Sequence, residues 1–375
     1  MRICHLISGD LWAGAEVMAL RLISGLAEEK GVEISAVLLN EGKLARKLNN
    51  LGIPIDVVDE TRSNFFQINK RIHEILRKFK PDIVHTHRLK ENILGYLASR
   101  KSGLEIPLLC TQHGLDEPQL RLKWKLLSRV NLYILSRHFR NIVAVSEDIR
   151  ITLSEKYDLP SEKLVVIHNG TEIPEEGTPD RGNHPFTIGS AGRFFPVKDY
   201  PFLVEVAAEV NRYDKDVHFE LAGEGPDFVT VIERIQRYGL QDVFFLKGFV
   251  ESMSGFYNGL DIYINTSMHE GFPMSVLEAM SHGLPVVAPK EGGIKEAVTD
   301  GVHGFLIEGR DPKRYAQKCL AIYQDRNMRQ IMGTASKEKV AREYSIKTMA
   351  GKYHELYMKV LSETSRANYS SCARG

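Results

Sequence analysis

Residues 261–298, DIYINTSMHEGFPMSVLEAMSHGLPVVAPKEGGIKEAV, decide the fold. The apolar run Ile262–Ile264 reads as a buried strand, and Pro273 stands where a helix starts, a position that tolerates its missing N–H and favours its fixed φ. Gly283 and Pro285 end that helix, and residues 285–288 return as a second buried strand. Strand, loop, helix and strand in this order predict a parallel sheet, whose loop carries Glu270 and the unpaired N–H groups of the first helical turn at the strands' carboxyl end. Glu278 follows five residues after Pro273, about 7–8 Å further along the helix at ~1.5 Å per residue. A plain βαβ unit with Glu278 on a solvated face accounts for the same spacing. Its neighbours Val276, Leu277, Ala279 and Met280, and a second loop at Gly292-Gly293 where backbone can approach a ligand closely, favour a site.

Outward from this stretch the alternation continues in both directions. Apolar runs at 3–7, 34–39, 55–58, 83–84, 108–110, 142–145 and 164–167 read as short strands, and stripes such as Met18, Leu22 and Leu26 mark helices between them. Glycine, proline and acids then crowd into HNGTEIPEEGTPDRGNHP, 168–185, the composition of a linker. Strands at 186–190, 219–222, 243–246, 262–264, 285–288 and 305–307 form a second alternation. The chain divides on this reading into an α/β domain at 1–170, a linker at 171–185, a second α/β domain at 186–345, a terminal helix at 346–365 and a tail at 366–375. Each domain is expected to be a doubly wound parallel sheet.

Three loops at strand ends carry chemistry. GDLWAG, 9–14, opens the first helix, and Gly14 could let backbone N–H groups approach a phosphate; the spacing is neither G-x-G-x-x-G nor a triphosphate P-loop. SAGRFFPVK, 190–198, puts Arg193 and Lys198 in one loop with Gly192, where fixed cations would stabilise the charge that builds on a departing diphosphate. His113, in TQHGLD, follows another strand. His85 and His87 share a strand face, and with His113 they could hold a metal, but no carboxylate or cysteine supplies a further ligand. No metal is expected. Asp214-Lys215-Asp216 sits in a turn, where aspartate is ordinary turn chemistry.

HEGFPMSVLEAMSHGLPVVAP resembles the signature of the retaining glycosyltransferases of family 4, and the Arg193 and Lys198 loop is similar to that family's GR…K motif. The resemblance extends over nearly the whole chain. It implies the GT-B fold, two facing Rossmann-like domains with a cleft between them, and transfer of a hexosyl group from a nucleoside diphosphate sugar, UDP-sugar over GDP-sugar. The acceptor would be a glycan or a lipid-linked one, in cell-envelope polysaccharide synthesis. By the same resemblance Arg193 and Lys198 neutralise the diphosphate, Glu270 and His113 hold the sugar, and Glu278 holds the ribose. Gly271, Phe272, Pro273 and Met274 line the sugar and diphosphate, and the loop of Glu224 flanks the base. The 346–365 helix would cross back onto the first domain. Trp12-Ala13 departs from the longer glycine run that precedes GAE in the family. A nucleotide-sugar epimerase of the same fold and a non-catalytic nucleotide-sugar binder are the rival readings.

Composition is that of a soluble globular protein, 43% hydrophobic and 26% charged over 375 residues, with a net charge of +1. The charge is uneven: 22 Lys and Arg against 15 Asp and Glu up to Arg140, and 27 against 33 beyond it. Cys4, Cys110, Cys319 and Cys372 have neither disulfide-framework nor zinc spacing. Arg2, His5 and Asp10 interrupt the first residues, so no signal peptide is expected, and the chain reads as cytoplasmic. Residues 120–140, LRLKWKLLSRVNLYILSRHFR, hold six cations and no acid amid abundant apolar residues, the composition of a helix at an anionic membrane surface. Peripheral membrane contact is therefore expected there, and no nucleic acid partner.

Overall fold

The computed structural model describes residues 1–10, 12–114, 122–174 and 185–372. They divide into two units, Met1–Gly170 with Ile346–Gly375, and Thr171–Ser345.

The first unit runs β1 (Arg2–Ile7), α1 (Gly14–Ala27), β2 (Glu33–Leu38), α2 (Lys43–Asn50), β3 (Ile55–Val57), α3 (Phe65–Phe79), β4 (Ile83–Thr86), α4 (Leu89–Ser102), β5 (Leu108–Gln112), α5 (Leu122–His138), β6 (Asn141–Ala144), α6 (Glu147–Glu155) and β7 (Leu164–Val166). Its seven strands are all parallel, in the order β3-β2-β1-β4-β5-β6-β7. Strand order reverses between β1 and β4. Adjacent crossovers diverge there and leave an opening at the carboxyl ends, the place where open α/β sheets take ligands.

The second unit runs β8 (Thr187–Ala191), α7 (Tyr200–Tyr213), β9 (His218–Ala222), α8 (Phe228–Tyr238), β10 (Phe244–Gly248), α9 (Met253–Asn258), β11 (Ile262–Ile264), α10 (Met274–Ser281), β12 (Val286–Pro289), α11 (Ile294–Ala297), β13 (Gly304–Ile307), α12 (Pro312–Gln324) and α13 (Arg326–Glu343). Its six parallel strands take the order β10-β9-β8-β11-β12-β13, so the reversal lies between β8 and β11. Ile188, Phe219, Leu221, Ile262, Ile264 and Val287 are buried along these strands, which explains their continuous apolar runs: helices cover both faces of a parallel sheet.

Every strand expected from the sequence is present, and two helix boundaries differ. Pro273 is the N-cap, with φ −81° and ψ 103°, and α10 starts one residue later at Met274. The last helix, α14 (Ile346–Cys372), continues past the expected end at 365, because the residues that follow contain neither proline nor glycine to stop it. It packs on α1 so tightly that a Cβ on Gly25 would lie 2.8 Å from Ile346 Cγ2 and 2.9 Å from Ala350 Cβ. At the start of the expected linker, the Thr171 N–H donates to Tyr344 O (2.8 Å); most of that linker, 175–184, lies outside the described residues.

Candidate active site

In the second unit the loop after β8 and the loop after β11 leave the sheet on either side of the strand-order reversal. The first carries Gly192, Arg193 and Lys198, the second Glu270, and a Lys198–Glu270 ion pair joins them. Both side chains are largely buried, 23% and 12% exposed. Ser267 Oγ (2.6 Å) and Asn265 Nδ2 (3.4 Å) also donate to Glu270 Oε1. Burial opposes ionisation of this carboxyl, but the Lys198 ammonium and these hydrogen bonds outweigh it, so its pKa lies below the ordinary value. Lys198 is therefore already held by a partner. A bound diphosphate would share it with Glu270.

Backbone contacts set the loop positions. The Phe194 N–H donates to Glu224 O (2.9 Å), Gly192 N–H to Ala222 O (3.0 Å), and Met268 N–H to Val197 O (2.7 Å). Gly223, at φ 130°, has to be glycine: a Cβ there would stand 1.9 Å from Gly192 O. Gly292, at φ 51°, presses equally on the Glu270 loop, its Cβ position 2.2 Å from Glu270 O, while the Gly293 N–H donates to that same oxygen (2.9 Å). Asp199 caps α7 in the left-handed region (φ 47°) and pairs with Arg310, which also donates to Thr266 O (2.9 Å). Thus Arg310, from the loop before α12, ties the Lys198 loop to the Glu270 loop.

The other sequence-selected residues of this unit fall around that centre. Arg193 stacks on the Phe195 ring, 4.1 Å from its centroid. Glu224 is exposed in the neighbouring loop. Gly271 and Met274 are half-buried. Pro273 is buried, and the Phe272 ring turns inward to an edge contact with Tyr344 (5.3 Å between centroids), so the backbone of Phe272 is what it can offer a ligand. Glu278, one helix turn into α10, accepts from Tyr257 Oη (2.8 Å), and His282 bridges the Glu278 carbonyl (2.8 Å) and Ser254 Oγ (3.0 Å). Asn265, Ser267, Tyr257 and Arg310 were not selected from the sequence. The polar run Asn265-Thr266-Ser267 just ahead of Glu270 was a usable signal for the first two.

In the first unit, four imidazoles gather at the β1/β4 reversal. His87 Nδ1 lies 3.2 Å from His113 Nε2, and His87 Nε2 lies 3.1 Å from His5 Nδ1. The His87 ring is stacked on both, 5.4 Å between centroids in each case. The free ends of this chain, His113 Nδ1 and His5 Nε2, are buried without a hydrogen-bond partner. One neutral imidazole donates and the next accepts, so the tautomer of His113 is coupled through His87 to that of His5. Burial pushes the pKa of His5 down to about 3, and burial followed by the Arg88 charge does the same for His113. His85, beside them, is fully engaged with Tyr357 Oη (2.6 Å) and Thr111 Oγ1 (2.8 Å). His5, His85 and His87 offer nitrogens within 4.8 Å of one another, but His85 would have to surrender a hydroxyl partner to ligate a cation. The cluster fits a hydrogen-bonded imidazole stack better than a metal centre.

Next to it, Gly14 opens α1 and the buried Glu16 accepts from Arg88 Nη2 (2.6 Å). Burial raises the Glu16 pKa despite Arg88. Ser8 donates to the buried Glu91, whose pKa burial also raises.

Comparisons with known proteins agree with this fold. Residues 176–339 match the family described as Glycosyl transferases group 1, and residues 12–173 match Glycosyltransferase Family 4. The chain is a GT-B glycosyltransferase. This glycosyltransferase is 27% identical over 307 residues to the Escherichia coli UDP-Gal:alpha-D-GlcNAc-diphosphoundecaprenol alpha-1,3-galactosyltransferase, covering 77% of this chain and 78% of that one. It is 23% identical over 307 residues to the Bacillus anthracis N-acetyl-alpha-D-glucosaminyl L-malate synthase, covering 78% of each. Its fold is similar to that of Anabaena HepE in complex with UDP-glucose, at a TM-score of 0.83 and 21% identity, covering 97% of this chain and 100% of the other.

Proposed function

We propose that the glycosyltransferase moves a hexosyl group from a UDP-sugar to a glycan or lipid-linked acceptor in cell-envelope polysaccharide synthesis, with retention of anomeric configuration and without a bound metal. The observation that carries this reading is the Lys198–Glu270 pair spanning the strand-order reversal of the second sheet. Lys198 and Arg193 stand where a diphosphate leaves. Negative charge on that leaving group grows as the glycosidic bond breaks, so fixed cations beside it bind the transition state more strongly than the ground state. They supply the charge stabilisation that a metal would otherwise give. Glu270, kept ionised by Lys198, accepts from sugar hydroxyls, and Glu278, oriented by Tyr257, accepts from the ribose.

His113 of the first unit is the other group assigned to the sugar; its Nε2 is taken up by His87, which leaves Nδ1 for a ligand. The acceptor hydroxyl attacks on the face from which the diphosphate departs. UDP is favoured as the carrier because the E. coli relative's name specifies UDP-Gal and the HepE structure holds UDP-glucose. The lipid-linked acceptor draws on the diphosphoundecaprenol in the same relative's name, and with it a place at the cytoplasmic membrane face through residues 120–140.

Thermal-shift titration with UDP-, GDP- and ADP-sugars tests the donor. A ligand that binds only the folded state raises the melting midpoint, by about 2.7 kcal/mol of stabilisation at a hundredfold excess over Kd. The expected result is a rise with UDP-sugars that Glu278→Gln diminishes more than Arg193→Gln does. No shift with any of the three would refute the donor assignment.

A further inference from the structure

Helix α5 has two apolar stripes. Ile134 and Leu135, with Asn131, are buried against the unit, as expected of a helix covering a parallel sheet. Leu126, Val130 and Tyr133, at i, i+4 and i+7, form a second stripe on the opposite side, exposed by 64, 39 and 62%. Trp124 and Leu127, in register with Asn131 and Ile134 on the other side, are themselves 40 and 41% exposed. The sequence alone could not divide these residues between core and surface; the structure leaves five large apolar side chains of one helix in contact with solvent.

The exposed surface continues onto two further helices. Tyr133 meets the His138 ring edge-on (6.3 Å), and His138 stacks on Tyr96 of α4 (4.4 Å). Tyr96 and Leu97 in turn line an open groove of about 530 Å³, whose other wall is Phe65 and Phe66 at the start of α3. Phe66 is 82% exposed and packs edge to face on Phe65. A contiguous apolar face of this kind marks an interaction surface.

On α4 and α5 the exposed charges around it have one sign, and on α3 the exposed Glu74 is paired with Arg71. Arg100 and Lys101 border the groove, and Lys125, Arg129 and Arg137 flank the α5 stripe. The one carboxylate on α4 and α5 is Glu91, which is buried. Burial first, then the nearby charges of Arg100, Lys163 and Arg137, lower the pKa of His138 at the centre of the face, as a cationic field requires. Aromatic rings and aliphatic side chains bordered by guanidinium and ammonium groups complement an anionic bilayer: the rings and aliphatic side chains enter the headgroup boundary while the cations meet lipid phosphates. We infer that the α3–α4–α5 face docks this glycosyltransferase on an anionic lipid surface, with Phe66, Leu126 and Tyr133 entering the interface; this rests on the lipid-linked acceptor reading above.

Co-sedimentation of the full chain with phosphatidylglycerol–phosphatidylcholine vesicles, against pure phosphatidylcholine, tests it. Binding to the anionic vesicles is expected, weakening as salt rises. Each cation at such a surface contributes a factor of about five, so Lys125→Gln with Arg129→Gln should lower the partition coefficient about thirtyfold. Leu126→Ser with Tyr133→Ser, and separately Phe66→Ser, should lower it with melting midpoints unchanged. No binding, equal binding to both vesicles, or binding unaffected by these variants would overturn the inference. A dimer in sedimentation velocity that the Leu126→Ser, Tyr133→Ser variant dissolves would overturn it too, in favour of a second copy of the chain. UDP-sugar binding measured on the same samples separates the two claims. An unmodified chain that binds donor but no vesicles refutes the docking face alone, and absent donor binding refutes the reading beneath it.

Discussion

Lys198→Met, Glu270→Gln and the double variant form a thermodynamic cycle on the pair at the centre of the site. Removing one partner of a buried pair costs about 3–5 kcal/mol, against about 0.2–1 for an exposed pair. With the side chains 23 and 12% exposed, Lys198→Met belongs near the lower end of the buried range, about 3 kcal/mol, because it leaves an uncompensated carboxylate. Glu270→Gln leaves a neutral acceptor for Ser267 and should cost less, about 1–2 kcal/mol, and the double variant about the same, a coupling of about 3 kcal/mol.

The pH dependence has a definite sign. The wild-type Glu270 carboxyl is depressed in the fold, so its contribution is present above the unfolded pKa and lost as pH falls through the folded pKa. In Lys198→Met burial stands with less opposition, the folded pKa rises, and the variant's deficit should shrink on acidification. Trp12 and Trp124 both lie in the first unit, so fluorescence would miss the effect; hydrogen exchange at β8 and β11 amides reads it directly. Additive single-variant effects, or a deficit that grows as pH falls, would refute the reasoning.

Folded His5 has a pKa pushed down to about 3, below its unfolded value, so stability should be level above about pH 6.5 and fall below it by about 1.4 kcal/mol per pH unit for this group. Urea titrations followed by tryptophan emission should show a shallower acid slope in His5→Leu; an unchanged slope contradicts the buried neutral assignment. Gly223→Ala should cost about 3 kcal/mol and abolish nucleotide binding, because its Cβ collides with Gly192 O, whereas Gly31→Ala, with positive φ but no atom within 4 Å, should cost about 1 kcal/mol. Equal melting midpoints for these two variants would sink the loop-clasp argument. Arg193→Gln should lower kcat by about 2–4 kcal/mol in barrier terms, and Glu278→Gln should raise KM with kcat nearly unchanged, the reverse pattern exchanging their roles.

Much of this was legible in the chain because the relevant patterns are local. A buried parallel strand is a short apolar run, a helix start carries its proline, and Ile262–Ile264, Glu270 and Met274–Ser281 lie within one continuous stretch. Arg193 and Lys198 were visible for the same reason. What joins them was not. Lys198 and Glu270 are 72 residues apart, His5 and His87 are 82 apart, and Arg310 reaches Asp199 across 111, distances that only the strand order closes. Phe272 was expected at the ligand, yet its ring is buried against Tyr344, since a side chain's direction out of a loop is set by packing that no spacing encodes. In residues 120–140 the balance of core and surface was open from composition, and the helix register resolved it: Ile134 faces in, Leu126 and Tyr133 face out.

The most direct test of the account is the product itself. NMR of a reaction containing the full chain, a UDP-α-hexose and a lipid-diphosphate-linked sugar acceptor reports both transfer and the anomeric coupling of the new bond. The account predicts UDP release that depends on acceptor, the small equatorial–axial H1–H2 coupling that marks an α-linked gluco- or galacto-configured product, and loss of both in Arg193→Gln. Free sugar or an epimer formed equally without acceptor, or a β-linked product, would contradict it.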